Sequence, residues 1–304
     1  MQIISIFLLI LLMSGCSIRR YAVNQVGNAL ARGSSTFEQD DDPELVGDAL
    51  PFGLKLMESL LAEAPKHDGL LLAAASGFTQ YAYAFVDLPA DESEADNLER
   101  SQALRRRARR LYLRAHGYGL RGLEARYPGL GVTLDRNPKA VLAQTRRRDV
   151  PLLYWTAAAH GLAISASRND PERIAQIPVV EALIERVLEL DESWSQGAAH
   201  EFLIGFENAR ATAPPAEVRA RLRKHFERAM ALSAGTRAAP LVSYAEAASL
   251  QFRDRAEFRQ LLQKALAVDP DAKPEARLAN LVAQRRARWL LSRMDDLFLE
   301  GAQP

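Results

Sequence analysis

The sequence predicts an all-α protein built from stacked helical hairpins. Alanine, leucine, arginine and glutamate recur along the whole chain, and these residue types favour helix. No segment alternates convincingly between apolar and polar residues, as a half-buried strand would. Four similar short segments each lie at the end of an amphipathic stretch, and each is followed by a turn and a second stretch. This is the pattern of a repeated helix pair.

The composition restricts the kind of protein this is. With 304 residues, 48% of them hydrophobic and 25% charged, the chain is globular and has enough apolar material for one large or two ordinary domains. Its 39 basic and 38 acidic residues leave a formal charge of +1. General nucleic-acid binders usually carry a marked positive excess, so no nucleic-acid partner is expected.

The first residues predict export. Residues 3–12 are almost entirely apolar, which is too short for a stable bilayer-spanning helix but typical of the core of a signal peptide. Ser14 and Gly15 precede Cys16, the only cysteine of the chain, and this arrangement resembles the lipobox of bacterial lipoproteins. Acyl chains on the thiol would attach the protein stably to a membrane.

We therefore predict a signal peptide over residues 1–15, a lipid attached to Cys16, a tether over 16–36 and a single domain over 37–304. Ser17 is not the aspartate that retains lipoproteins of the enteric type at the inner membrane, which favours the outer membrane. No Lys or Arg precedes the apolar core, so an uncleaved anchor and a plain secretory signal with an incidental cysteine remain alternatives.

The first helical pair has clear start and stop signals. Asp42 can cap a helix whose first position is Pro43. Residues 51–64 are amphipathic, and Pro65 ends them. Residues 70–86 are apolar nearly all round, so this second segment is expected to be a central, buried helix.

The later helices follow the same alternation. After the acidic stretch 88–98, a helix is predicted to end near Arg126, and its arginine runs are expected to form a solvated face paired with acidic neighbours, Glu92, Glu94, Asp96 or Glu99. Further helices are predicted over 152–167, 178–190, 195–210, 217–232, 240–252, 255–268 and 275–299.

Internal repetition predicts how these helices stack. Segments 187–192, 229–234 and 265–270 each close a helix, and they begin 42 and 36 residues apart. A fourth, 60–65, lies 127 residues before the first of these. The shorter spacings approach the tetratricopeptide period of about 34 residues. The prediction is therefore a tetratricopeptide-like α-solenoid, in which each hairpin buries the apolar face of its neighbour.

No catalytic constellation is found in the sequence. The histidines are scattered, and none forms an H-E-x-x-H motif: His67, His116, His160, His200 and His225. His160 lies in an apolar run and is expected to be a core residue. Gly117-Tyr118-Gly119 is interpreted as a helix stop, not as a phosphate loop. The chain is thus predicted to be no enzyme, with no cofactor and no metal site.

Aromatic residues supply the candidate binding site. Phe78, Tyr81 and Phe85 recur at helical spacing on the central segment, and Tyr154 and Trp155 open a second apolar segment. Packing in the core is one explanation of this pattern. The other is that these five side chains line a cavity for a small apolar or amphipathic ligand, with the tyrosine hydroxyls as polar contacts.

Several blocks of the sequence, in order, resemble the TRAP transporter T-component (TatT) family. They cover almost the whole mature chain: 37–51 leading into 54–61, 71–85, 108–119, 149–155 and 187–206. The resemblance implies a periplasmic lipoprotein of tetratricopeptide-like helices, lipidated at Cys16, that serves a TRAP-type (tripartite ATP-independent periplasmic) uptake system.

The resemblance also implies partners. Members of that family are thought to dock the periplasmic substrate-binding protein, and they can form homotrimers with a pore-like cavity through the helices. The alternative function is a ligand carrier that works independently of any transporter.

Overall fold

The described chain is all-α, as predicted. The computed structural model describes residues 21, 23–167, 170–207 and 214–299, and these contain helices and turns but no strand. Ten of these helices are α1 Pro43–Glu63, α2 Asp68–Ala82, α3 Leu98–Arg126, α4 Val150–Ser165, α5 Ile177–Asp191, α6 Ala198–Phe206, α7 Pro215–Leu232, α8 Ala239–Tyr244, α9 Arg255–Leu266 and α10 Arg277–Ser292.

Short elements extend or connect these helices. Two π-helical turns continue α2 and α8, over Tyr83–Asp87 and Ala245–Leu250. Short α-helices span Ser34–Glu38, Leu88–Glu92, Leu130–Leu134, Pro138–Leu142, Pro171–Ile174 and Met294–Leu297. Single 3₁₀ turns lie at Arg147–Asp149, Trp194–Gln196, Pro270–Ala272 and Pro274–Ala276.

The N-terminal predictions fall largely outside the described residues. The signal peptide, Cys16 and Ser17 all lie there, and the domain boundaries stay a prediction. Residues 23–32, within the predicted tether, are helical and lie against the start of α2. The carbonyl of Asn24 lies 3.4 Å from His67 Nε2, and Gly27 is so close to Leu70 that a Cβ would be 2.9 Å from its methyl group.

The start of α1 is held by the predicted cap. The Asp42 carboxylate accepts a hydrogen bond from the Leu45 backbone N–H at 2.9 Å, and Pro43 is the first helical residue. The helix then continues through Pro51 to Glu63, so the amphipathic stretch predicted from residue 51 is the second half of a longer helix. A single internal proline removes one backbone hydrogen bond, which the cap and the buried face of α1 outweigh.

The interpretation of Gly117-Tyr118-Gly119 as a helix stop is wrong, because α3 passes through all three residues without a break. Gly119 instead permits close packing of α3 against α4. A Cβ at this position would overlap the Thr156 hydroxyl and lie 3.0 Å from Thr156 Cβ and 3.1 Å from its Cα. The absence of a side chain allows this contact between helices, a requirement that a single sequence does not distinguish from a helix end.

The four repeated segments do end helices, as predicted. They lie at the C-terminal ends of α1, α5, α7 and α9. After α7, the turn needs a left-handed backbone at Ala234 (φ 48°) and Gly235 (φ 74°), which frees the chain to reverse direction into α8.

Apolar cores join the consecutive helices. One core lies among α1, α2, α3 and α4, a second among α3, α4, α5 and α6, and a third among α6 to α10. The stretch Asp68–Glu92 is long and apolar enough to cross a membrane by length and composition, yet 67% of its most apolar window is buried inside the protein. It packs as the central helix that the sequence predicts, with Leu70, Leu71 and Ala74 wholly buried.

The first and last hairpins also touch each other. Arg286 of α10 donates to Asp91 at 3.1 Å, and Arg285 donates to the carbonyl of Ala84 at 2.9 Å. Only a small apolar cluster, with Ala84, Leu88 and Val282 as its buried members, accompanies these polar contacts. We call this contact between the 83–92 segment and α10 the seam.

Candidate functional site

The predicted aromatic stripe on α2 lies in the first core, beneath α3. Phe78 is 3% exposed and stacks on Tyr118 with ring centroids 5.9 Å apart. Tyr81 lies 5.8 Å from Phe85 and accepts a hydrogen bond from Arg107 at 3.0 Å. These contacts bring the three stripe residues together, although they do not test whether a ligand reaches them.

Tyr154 and Trp155 belong to a different part of the molecule. Both are half-buried at the start of α4, with ring centroids 5.0 Å apart. Tyr154 also lies 4.8 Å from Trp194, against the second core. The described structure therefore separates the five predicted residues into two groups, and their assignment to one cavity stays a prediction.

Tyr83, which the sequence reasoning missed, has an unusual environment. It lies on the π-helical turn after α2, and 39% of its surface is accessible to water. Even so, the surrounding protein disfavours a phenolate and raises the pKa of Tyr83, with Glu246 adding to the effect. Tyr83 therefore keeps part of its ring in contact with water while it lies close to buried charged groups.

An ion pair from the last two hairpins faces Tyr83. Arg286 of α10 donates to Glu246 Oε1 at 2.7 Å and is only 6% exposed. Burial raises the pKa of the Glu246 carboxyl, although Arg286 partly offsets this. One nitrogen of the guanidinium, Nη1, is buried without a partner among the described residues. A hydrogen-bond donor is thus available beside Tyr83.

A second ion pair brings in the middle hairpins. Arg237, just before α8, contacts Glu201 of α6 at 2.8 Å, and this carboxylate raises the pKa of Arg237. Burial and the same Glu201 raise the pKa of Tyr154. Glu201 also contributes to the raised pKa of Tyr83, so carboxylates of both ion pairs influence this tyrosine.

We call these residues the inner cluster. It consists of two tyrosines and two ion pairs from six different segments of the chain: Tyr83, Tyr154, Glu201, Arg237, Glu246 and Arg286. Asp87 lies at its edge, where it accepts a hydrogen bond from Tyr112 at 2.9 Å, and burial raises the pKa of Asp87. Of the five predicted residues, Tyr154 is the one that belongs to this cluster.

The inner cluster can bind polar groups but has no arrangement for covalent catalysis. Its donors and acceptors are hydroxyls, guanidinium groups and carboxylates, without a nucleophile paired with a base. Within the described ranges, no group of three His, Cys, Asp or Glu residues could hold a metal ion. The chemistry that it supports is recognition of a ligand with a polar end.

The histidines lie elsewhere. His160 is 3% exposed and its Nε2 lies 2.8 Å from the Gln176 amide oxygen, so it is the core residue that the sequence predicts. Its ring stacks on His116 at 4.1 Å, and burial lowers the pKa of His116 to about 3, which keeps this imidazole neutral. His200 contacts His225 and Glu192 at the junction of α6 and α7.

An open cavity of about 350 Å³ lies apart from the inner cluster. Residues around the turns after α7 and α9 line it, among them Met230, Leu241 and Val268. None of the inner-cluster residues contributes to its lining.

One signal for the inner cluster was present in the sequence. Glu246 is the single charged residue of the otherwise apolar segment Ala239–Leu250, where a carboxylate must face either solvent or a partner. Tyr83 lies between Tyr81 and Phe85 but points to the opposite side of the helix. A search for aromatic residues spaced three or four apart on one helix face therefore does not find Tyr83.

Comparisons with known proteins agree with this architecture. A family model described as TRAP transporter T-component matches residues 39–298. An uncharacterized protein of Treponema pallidum (strain Nichols) is 31% identical over 310 aligned positions, which cover 95% of each chain.

Proposed function

The chain belongs to the TRAP transporter T-component family, and from this premise we propose that it is a lipid-anchored, periplasm-facing accessory protein that docks the substrate-binding protein of a TRAP uptake system. The family membership itself indicates an accessory component of such a system with a non-catalytic role and a periplasmic or membrane-associated location.

The anchor is Cys16, with the outer membrane favoured over the inner one. The apolar run 3–12, the small residues before the cysteine and the absence of any other cysteine support this part. Stacked tetratricopeptide-like hairpins then hold the binding surfaces away from the bilayer. A homotrimer is the assembly that the family suggests.

The protein also holds, or passes on, a small amphipathic ligand. The observation that supports this part is the buried Nη1 of Arg286, which has no partner among the described residues and lies in the ion pair beside the partly exposed Tyr83. The polar end of the ligand would bind Tyr83, Tyr154 and the two ion pairs of the inner cluster. Its apolar part would contact Tyr154 and its neighbour Trp155, the predicted aromatic residues beside the inner cluster. Phe78, Tyr81 and Phe85 lie on the other side of the helix from Tyr83, so the proposal that they line a cavity is tested separately.

Affinity purification from solubilised cell envelope tests the docking. The full chain, tagged at its C-terminus, is recovered with its native lipid and analysed by mass spectrometry. Recovery of an extracytoplasmic solute-binding protein supports the accessory role. A co-purified amphipathic molecule with no protein partner supports the transporter-independent carrier instead.

Ligand retention tests the inner cluster. Glu246→Gln and Tyr83→Phe change the polar groups while keeping the shape of each side chain, and both should reduce the amount of co-purified ligand. Glu185→Gln on the exposed face of α5 is the matched control and should leave retention unchanged. Equal retention in all three variants would exclude the inner cluster as the binding site.

A further inference from the structure

Three arginines form a regular row on the exposed side of α3. Arg107, Arg114 and Arg121 are seven residues apart, so their side chains lie on one face at intervals of about 10 Å. Each guanidinium lies over an aromatic ring, at 5.6 Å from Tyr81, 5.4 Å from Phe78 and 5.2 Å from Tyr118. Stacking holds the row in place and reduces the entropy that its ordering would cost on binding.

The surroundings of this row are strongly basic. Arg106 and Arg110 are exposed on the same helix and form no ion pair with any residue in the described part of the chain. The carboxylate that contacts the row is Glu58 of α1, 3.6 Å from Arg114, and Lys55 shares it at 2.6 Å. A chain with a net charge of only +1 therefore concentrates positive charge on one surface, the arginine stripe: Arg106, Arg107, Arg110, Arg114 and Arg121.

One end of the arginine stripe lies close to where the anchored N-terminus enters the fold. Arg121 donates to the carbonyl of Pro65 at 3.1 Å, and His67, two residues later, contacts Asn24. Asn24 follows Cys16 by eight residues, which reach at most about 29 Å when extended. An anchor on Cys16 therefore holds the arginine stripe close to the bilayer, so that the effective concentration of lipid headgroups at the stripe is high.

We propose that the arginine stripe is a membrane-docking surface, which lays α3 against the anionic headgroups of the bilayer that holds the anchor. This inference rests on the proposed lipidation of Cys16. A basic residue near an anionic surface favours binding by about fivefold, equivalent to about 1 kcal/mol. The three stacked arginines together should favour the docked orientation by roughly 100-fold at low salt.

The neighbouring surface of α1 suits a membrane interface as well. Phe52 is 77% exposed and lies one helical turn before Lys55, whose ammonium group shares Glu58 with Arg114. An exposed aromatic residue beside basic ones is typical of surfaces that lie in the headgroup region. Docking there would hold the chain in one orientation on the bilayer, so that the opposite side faces the periplasm.

The test uses the full lipidated chain inserted by its N-terminus into vesicles. A fluorescent dye is attached through Ser59→Cys, an exposed position one turn after Lys55 on α1. Nitroxide-labelled headgroups then report by quenching how close the dye is to the bilayer. Vesicles of neutral phosphatidylcholine are compared with vesicles that contain about 30% phosphatidylglycerol, at low salt and at about 0.5 M NaCl.

Docking predicts stronger quenching in the anionic vesicles, and its loss in high salt. Arg107→Gln, Arg114→Gln and Arg121→Gln combined should abolish the difference, whereas the same three positions changed to Lys should keep it. The matched control combines Arg136→Gln, Arg259→Gln and Arg288→Gln, three exposed arginines outside the arginine stripe, and should quench like the parent. Circular dichroism verifies that each variant is folded.

Quenching that is equal in neutral and anionic vesicles, or lost equally in the control triple variant, would overturn the proposal. So would a stripe variant that docks normally but no longer recovers the solute-binding protein from envelope extracts, since the arginine stripe would then bind an acidic protein surface. Flotation of the vesicles separates these outcomes from failure of the anchor, because a chain without lipid would not float with neutral vesicles at all.

Discussion

Two glycines in α3 should respond to the same substitution in opposite directions. Gly117 and Gly119 share one helix, and alanine at either position gains about 0.5–1 kcal/mol of helix stability because the unfolded chain loses backbone freedom. A Cβ on Gly117 would meet nothing within 4 Å. Gly117→Ala is therefore expected to stabilise the protein by about that amount.

Gly119→Ala adds a steric cost that Gly117→Ala lacks. The new Cβ would lie 3.0 Å from Thr156 Cβ and 3.1 Å from Thr156 Cα, atoms that move only if α4 moves. Overpacking of a tight helix contact costs about 1–3 kcal/mol. Since the helix gain is common to both variants, the difference between their free energies of unfolding should equal this steric cost.

Urea titrations followed by far-ultraviolet circular dichroism measure both free energies. Thr156→Ala removes the overlapping hydroxyl, so we expect the double variant to recover part of the loss, with a coupling energy of about 1 kcal/mol. Equal effects of alanine at 117 and 119 would refute the reasoning, because the close approach of α3 and α4 would then impose no constraint on residue 119.

Four further outcomes are expected. Arg286→Met leaves Glu246 without its partner and leaves Asp91 with Arg105 alone. Because both carboxylates are partly exposed, the free energy of unfolding should fall by about 1–3 kcal/mol, with faster hydrogen exchange at the seam. Asp149 is wholly buried, and although burial opposes it, hydrogen bonds from Tyr127, the Arg146 backbone and Arg126 lower the pKa of this carboxyl. The ionised Asp149 therefore stabilises the fold fully above its unfolded pKa of 3.8, and this stabilisation is lost as the pH falls through the lower folded value. Asp149→Asn should lower the free energy of unfolding by about 1–3 kcal/mol at pH 7. In acid unfolding titrations the difference from the parent should become progressively smaller. The double variant Phe78→Ala/Phe85→Ala should lower the free energy of unfolding by at least about 3 kcal/mol. Leu54→Ala, which is comparably destabilised, is the control. If the double variant retains less ligand than this control, the aromatic stripe lines the binding cavity. Intact-mass spectrometry of the membrane fraction should find acyl chains on Cys16, and a bare thiol there would contradict the anchor.

Local signals predicted the helices well because they act over a few residues. Asp42 caps α1 through its own side chain, and the four repeated segments end helices. The failures came from contacts between helices. Gly117-Tyr118-Gly119 was interpreted as a helix stop, yet α3 continues through it, and Gly119 permits close packing against α4.

In the arginine-rich part of α3, local features were likewise predicted better than contacts with other helices. A solvated basic face was predicted correctly, and Arg105 does pair with Glu94, one of the four named acidic neighbours. Its second partner, Asp91, was not among them. Tyr81 and Phe78 beneath Arg107 and Arg114 were not foreseen either, because periodicity within one helix does not indicate which helix lies opposite.

The candidate site was the least predictable part. Tyr83, Glu201 and Glu246 are far apart in sequence, and only the tertiary fold brings the two carboxylates within electrostatic reach of Tyr83. A search for aromatic spacing identified Tyr154 but had no means to connect it with Arg237, which a different hairpin supplies.

The seam has a consequence for how the molecule is made. Arg286 and Asp91 are 195 residues apart, and a chain that emerges with its N-terminus first cannot join them until its last long helix has appeared. Until that moment Glu246 lacks the guanidinium group of Arg286, and Tyr83 lacks the ion pair that comes to lie beside it. The inner cluster is therefore complete only when the final hairpin has been synthesised, and a protein shortened by α10 would lose this ion pair together with the α10 side chains of the third core.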